Sequence, residues 1–459
     1  MQHEPGRELR KEAEMAQGSL SATEHALENQ RIGGLQIGVV ALCTLVQVCD
    51  GYDINSVAWA VPSLIHTWGL PPPAFSQAFV WSSIGILIGA LSSGPIGDRI
   101  GRRPLLLGSL AIFGIASLLS AFASSLGMLS LLRFFTGVGI AGGFTGATAL
   151  SGDFTPQRRR ALMIMVSFTG APLGGFLGGQ LVALLLPSYG WPMIFVIGGA
   201  FPLVLLLVLL FVLPESPRIL AARGNLSPRQ ADLMRRLDIG ADATGQSVDV
   251  ASGNPVAMLF GKGYALQTVL LWVIFFCSLM NLFLFAYWMP TVLNLIGFTP
   301  AQSVFASSLR DCGAIFAVLY LGLLIDRSGP ERALALHYLV GAVFIALIAL
   351  VALPYAMLLI VTFFAGMTII GSQTGANAAC GTLYPARMRT SGIGWALGIG
   401  RLGGIAAPAL GGYLLARGLP PTQIFLSACV FAVIAAAATA LLRFRGSHMA
   451  ALIVEEVAP

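Results

Sequence analysis

The chain has 459 residues, of which 56% are hydrophobic and 10% charged, against the roughly 25% charged of an ordinary soluble domain. With a mean hydropathy of +0.82, the apolar residues exceed what one globular core hides, and a water-soluble fold is excluded. The formal net charge of +6 comes from basic loops between apolar blocks, so nucleic-acid binding is not needed to explain it.

The first 30 residues alternate acids (Glu4, Glu8, Glu12, Glu14, Glu24, Glu28) with Arg7, Arg10 and Lys11. They lack the basic-then-apolar order of a signal peptide, and residues 1–32 are read as a flexible tail. A hydrocarbon core of about 30 Å needs about 20 apolar residues per helix. Twelve such stretches follow, at 35–61, 75–97, 104–123, 127–151, 162–186, 192–213, 265–289, 302–325, 333–352, 356–379, 391–415 and 422–442. Runs such as Phe201 to Val212 are apolar on every side, unlike the alternating strands of a barrel. The expected fold is an all-α integral membrane protein with twelve transmembrane helices.

Lys and Arg concentrate on the cytoplasmic side of membrane proteins. Of 26 here, 22 fall in the two tails or in the loops after spans 2, 4, 6, 8 and 10; Arg417 alone lies in the opposite loops, and Arg133, Arg310 and Arg401 lie inside spans. Both termini are therefore expected in the cytoplasm. The six cysteines sit in or at the edge of apolar spans without a C-x-x-C pair or a His neighbour, which reads as packing rather than metal or redox chemistry.

An internal repeat divides the chain. Gly94, Asp98 and Arg99 recur 228 residues later as Gly322, Asp326 and Arg327, and Pro156, Arg158 and Arg160 recur 229 later as Pro385, Arg387 and Arg389. Two pseudo-symmetric six-helix halves are expected at 33–218 and 263–443, joined by a polar cytoplasmic linker at 219–262 and followed by a tail at 444–459.

The loop after span 2 reads Gly94-Pro95-Ile96-Gly97-Asp98-Arg99-Ile100-Gly101-Arg102-Arg103, and it resembles the signature of the major facilitator superfamily. Further support comes from Arg133 followed by Gly137, Gly139, Gly142 and Gly143, from the glycine-rich fifth span, and from Pro214-Glu215-Ser216-Pro217-Arg218. An Asp at a helix end flanked by Arg can pair with a neighbouring helix and hold one face closed. Asp98, Arg99, Arg102, Arg103, Asp153, Asp326, Arg327 and Arg389 are the expected gating residues.

The string Asp50-Gly51-Tyr52-Asp53 in span 1 narrows the resemblance to the aromatic acid:proton symporters of that superfamily, and Trp395 to Arg401 in span 11 extends it. Ionisable groups inside a membrane are costly and functional by default. The i, i+3 spacing puts both carboxylates on one helix face, where two acids in a medium of low dielectric repel, so one is expected to exchange a proton; a structural hydrogen-bonded or Ca²⁺ site is the alternative. Arg133 is implied by the resemblance in proton coupling. Arg310 and Asp311 in span 8 depart from the small neutral residues expected there. Neighbours on a helix point about 100° apart, so each is expected to pair elsewhere, Arg310 with a substrate carboxylate or Asp311 with a proton.

The offset maps Asp50 and Asp53 onto Ser278 and Asn281 in span 7, which the resemblance places across the transport path. Arg401 lies 12 residues beyond Arg389, about 18 Å along a helix, near the midplane, with Trp395 on the same helix. Its guanidinium suits a carboxylate. Arg401, Arg310, Asn281, Trp395, Tyr52 and Tyr287 are the expected substrate residues; Asp50, Asp53, Arg133 and Asp311 are the expected proton-coupling residues. Phe275, Phe276, Phe283, Phe285 and Trp288 offer further rings for stacking or packing.

The resemblance implies a secondary active transporter of the bacterial inner membrane that imports an aromatic carboxylate with protons by alternating access, as a monomer, with no metal or other cofactor and driven by the proton gradient. An exporter, or an importer of another small organic anion, is the rival reading; a membrane sensor is a third. An enzyme is not expected, because His66 and His337 lie near loop ends and no paired catalytic groups stand out.

Overall fold

Inside a bilayer a backbone must satisfy its own N–H and C=O groups, and the apolar blocks accordingly form long helices. The computed structural model describes residues 32–223, 227–237, 259–260, 264–384 and 386–457; the expected N-terminal tail up to residue 31 and most of the expected linker lie outside them. The first half contains α1 (Gly34–Trp68), α2 (Ser76–Ile100), α3 (Arg102–Ser120), α4 (Leu126–Asp153), α5 (Gln157–Phe168), α6 (Gly170–Tyr189) and α7 (Pro192–Val212). Two short helices, α8 (Pro217–Arg223) and α9 (Pro228–Arg236), follow. The second half contains α10 (Ala265–Leu295), α11 (Pro300–Ser328), α12 (Pro330–Leu350), α13 (Tyr355–Leu383), α14 (Ala386–Ala416) and α15 (Gln423–Val457).

Among the described residues, eleven stretches are long and apolar enough to cross a membrane, with α5 and α6 forming one of them. The twelfth is α11, 29 residues long, which carries Arg310 and Asp311. The first span, expected to end at residue 61, runs through Pro62 to Trp68. A proline forfeits one helical bond, whereas ending the helix within the bilayer would strand several backbone groups. The same holds at Pro290 in α10.

The repeat seen in the loops is repeated in the packing. Where α2 crosses α4, a Cβ on Gly85 or Gly137 would collide with the carbonyl of Phe134 or Ser82; where α11 crosses α13, a Cβ on Gly313 or Gly366 would meet that of Phe363 or Arg310. Gly313 and Gly366 follow Gly85 and Gly137 by 228 and 229 residues, the offset of the loop motifs. Small residues at such crossings let two backbones touch. Gly366→Val is therefore expected to destabilise the carrier by about 1–3 kcal/mol or more through overpacking, read as a lower melting temperature in detergent, with Gly366→Ala intermediate.

The halves meet where α1 packs on α10, α2 on α14 and α6 on α11. Between them, Gln180 Nε2 donates to Ser308 Oγ at 2.7 Å, and Phe79 stacks on Tyr287 with centroids 4.7 Å apart. These contacts lie toward the end opposite the Arg-rich loops. There nearly every residue of α1 from Cys49 to Leu64, and of α10 from Cys277 to Leu293, is buried, while Ile37 and Leu45 nearer the Arg-rich end of α1 are exposed. The bundle is closed at the Arg-poor end.

Candidate functional site

Between the halves, α1, α6, α10, α11 and α13 line a cavity of about 150 Å³. Its apolar wall includes Ile54, Pro172, Leu282, Phe283 and Ile369, and its polar side is Asn55, Arg310 and Asp311. Arg310 is 3% exposed. Its Nη2 donates to both carboxylate oxygens of Asp311 at 2.9 Å and to Asn55 Oδ1 at 2.7 Å, and its Nε donates to Asp311 Oδ1 at 3.2 Å. Asn55 Nδ2 donates back to Asp311 Oδ2 at 3.3 Å and to the Gly51 carbonyl at 2.9 Å. Arg310 Nη1 is buried with no hydrogen-bond partner among the described residues.

This corrects the expectation that Arg310 and Asp311 pair elsewhere. Their Cβ atoms do diverge, but the flexible arginine stem folds back along α11 so that its planar fork reaches the neighbouring carboxylate. Gly175 of α6 makes the room, since a Cβ there would collide with the Asp311 carboxylate.

The two acids of α1 have unlike surroundings. Asp53 accepts from Ser117 Oγ at 2.6 Å and from Arg133 Nη1 at 3.1 Å, within the first half. Arg133, 1% exposed, also donates to Ser120 Oγ at 2.9 Å and Ser56 Oγ at 3.3 Å and lies 4.9 Å over the Phe195 ring. Asp50 is equally buried, yet neither of its oxygens has a hydrogen-bond partner among the described residues. Opposite it α4 presents Gly143, with no cation.

The remaining expected binding residues lie outside the cavity wall. The Tyr52 hydroxyl donates to the Ile194 carbonyl at 2.8 Å and its ring meets Trp59 edge-on, so its polar tip points into the first half. Asn281 is buried with no hydrogen-bond partner for Oδ1 among the described residues, and the buried Tyr287 hydroxyl faces Ser82 and Ser83 of α2. Arg401 is half-buried and interacts electrostatically with Tyr287, which also packs on Phe283 at 5.3 Å. Trp395 is 43% exposed and stacks on Trp272 at 5.8 Å. Six residues along a helix turn it about 120° from Arg401, and the structure does not bring the two together. Of the six rings in and around α10, Phe283 borders the cavity; Phe285, for example, packs on Phe425 instead.

At the Arg-rich end, Asp98 pairs with Arg102 one turn on, and Arg103 Nη2 donates to the Leu210 carbonyl at 2.6 Å. The turn between α2 and α3 is made by Gly101 at φ +110°, a conformation open to glycine. Asp153 accepts from Ser216 Oγ at 2.6 Å and lies 3.6 Å from Arg218 Nε. Arg99 and Arg327 are exposed, and the side chains of Asp326 and Arg389 lie outside the described residues. Two further side chains, to which the sequence assigned no individual role, hold this geometry together. Glu215 caps the start of α3, accepting from the backbone N–H groups of Arg102 at 3.0 Å and Arg103 at 3.1 Å. Asn55 joins the two halves; its signal was a polar residue two positions after Asp53 in an apolar span.

A buried guanidinium beside an apolar cavity at the centre of a two-fold repeat is the geometry of a solute carrier, and the comparisons agree. The profile of the Major Facilitator Superfamily matches residues 43–371 and 271–454. A gallate transporter of Pseudomonas putida is 34% identical over 403 residues, 87% of this chain and 90% of that protein. A 4-hydroxybenzoate transporter of the same species is 32% identical over 432 residues, covering 92% and 96%. In fold, the chain matches a D-xylose-proton symporter with a TM-score of 0.68 at 16% identity, over 88% of this chain and 97% of that one. The chain belongs to the Major Facilitator Superfamily, whose members matched here are transporters and not enzymes.

Proposed function

We propose that this carrier imports a single-ring aromatic carboxylate together with protons, across the bacterial inner membrane and with both termini in the cytoplasm. The observation that carries the reading is the central cavity: about 150 Å³ with a Phe283, Leu282 and isoleucine wall, and a buried arginine whose Nη1 has no hydrogen-bond partner among the described residues. A cavity of about that volume is large enough for one benzene ring. A guanidinium is the side chain suited to a planar carboxylate. The gallate and 4-hydroxybenzoate transporters among the relatives transport molecules of this kind.

In this reading Arg310 holds the substrate carboxylate and Phe283 meets the ring. Arg401, Tyr287 and Asn281 serve the same path on the α2 and α14 side of Phe283. Tyr52 and Trp395 act in packing rather than in binding. The Asp53–Arg133 pair and Asp50 couple protons to transport, and the gradient supplies the energy, with no cofactor required. One monomer contains the whole path. Asp98, Arg102, Arg103 and Asp153 form the cytoplasmic gate, which parts when the opposite end is closed, as it is here. Release then proceeds toward the cytoplasm.

The test is uptake of labelled benzoate, 4-hydroxybenzoate and gallate into sealed proteoliposomes with an imposed inward proton gradient. Accumulation of at least one acid, abolished by a protonophore, is expected. Protonophore-sensitive expulsion with no accumulation overturns import and makes the protein an exporter; no movement of any acid overturns the substrate class.

A further inference from the structure

We propose that Asp311 is a built-in competitor of the substrate: in the empty carrier its carboxylate occupies Arg310, and a proton accepted by Asp311 releases the guanidinium to the incoming carboxylate. The proposal rests on the reading of the central cavity as an aromatic-acid site.

Arg310 is held as an arginine holds a bound carboxylate, with Nη2 and Nε engaged on the Asp311 oxygens. The remaining edge, Nη1, is buried without a hydrogen-bond partner among the described residues, and Arg310 borders the cavity. A substrate entering the cavity therefore meets a cation whose charge is already balanced. One guanidinium and two carboxylates in a region of low dielectric leave one negative charge uncompensated, an arrangement that burial makes costly. Adding one proton to Asp311 restores neutrality: the substrate carboxylate takes the guanidinium, and Asp311 stays behind as a neutral acid.

The groups facing Asp311 restrict the alternatives. Its own helix supplies Arg310 and the half-buried Cys312 thiol. From α1 comes the Asn55 amide, from α6 Gly175, and from α10 and α13 apolar residues such as Phe283 and Ile369. Asp50 and Asp53 face α4 instead. No second cation among these groups neutralises Asp311 once Arg310 turns to the substrate. Asn55 suits both states, because its amide N–H₂ donates to the carboxylate and its carbonyl accepts from the protonated acid. Asn55 belongs to one half and Arg310 with Asp311 to the other, so the exchange takes place on a contact that joins the halves and is broken when they move apart.

The experiment is equilibrium binding of labelled benzoate and 4-hydroxybenzoate to the purified full-length carrier between pH 6 and 8.5. Each proton taken up with the substrate adds one to the slope of log Kd against pH. For Asp311→Asn, whose amide stands in for the protonated acid, the slope is expected to fall by one relative to the wild type, and binding at pH 8 to be at least tenfold tighter. An unchanged slope overturns the proposal. So does loss of binding at every pH in a variant that still melts cooperatively, because Asp311 would then support the site rather than compete for it. Should the amide not fold, Asp311→Ser carries the same expectation. A wild type that binds neither acid at any pH overturns the site reading itself, a result distinct from either outcome in the variants.

Discussion

Arg310→Gln is expected to abolish concentrative uptake and to weaken aromatic-acid binding by about two to four powers of ten. A hydrogen bond to a charged group contributes about 1.5–3 kcal/mol, two such bonds come from one guanidinium fork, and each 1.4 kcal/mol is about a factor of ten in affinity. The same change leaves the Asp311 carboxylate buried with the Asn55 amide as its partner. Breaking a buried pair from one side typically costs about 3–5 kcal/mol, so Arg310→Gln also melts earlier than the wild type. Stability and binding are separated by the double variant Arg310→Gln/Asp311→Asn. Neutralising both partners removes the stranded charge and should return most of the stability, while affinity stays low because nothing replaces the cation. Wild-type affinity in the double variant would remove Arg310 from the binding site and turn attention to Arg401, the half-buried cation on the far side of Phe283.

How much of this was legible beforehand follows from the range of each interaction. The spans were legible because a bilayer allows one solution to a 20-residue apolar block, and errors fell where a local rule met that constraint, as at Pro62. The two-fold repeat showed in the loop motifs. It was equally present in Gly85 and Gly313, but a glycine discloses a helix crossing only when the second helix is known. The intramembrane charges stood out one by one, since each is costly. Their pairing did not: an argument from Cβ directions separated Arg310 from Asp311, and the length and flexibility of the arginine side chain overrode it. Asn55 carried no charge to mark it, and its role depends on a helix more than 250 residues away. The spacing of Asp50 and Asp53 placed both on α1 but could not tell them apart, because α4 presents Arg133 to one and Gly143 to the other.

That difference leads to opposite expectations for stability with the same expectation for transport. Asp53→Asn leaves the Arg133 guanidinium with Ser56, Ser120 and the Phe195 ring as neighbours, and it should lower stability by about 3–5 kcal/mol, as loss of one member of a buried pair does. Asp50→Asn removes a carboxylate that has no hydrogen-bond partner among the described residues. An amide of the same shape should fit within about 1 kcal/mol of the wild type or better, since no bond is lost and a buried acid is removed. Both variants should nonetheless lose proton-driven accumulation while retaining counterflow exchange, in which substrate moves against substrate and no net proton transfer is needed. Asp53→Asn/Arg133→Gln completes the cycle: neutralising the pair together should recover stability without recovering accumulation, and the non-additivity measures their coupling. Loss of counterflow equal to the loss of accumulation would place the residue concerned in substrate binding or folding. Normal accumulation in Asp50→Asn would leave the Asp53–Arg133 pair as the carrier of the coupled proton in α1, because a carboxylate dispensable for both stability and accumulation has no remaining part in the cycle.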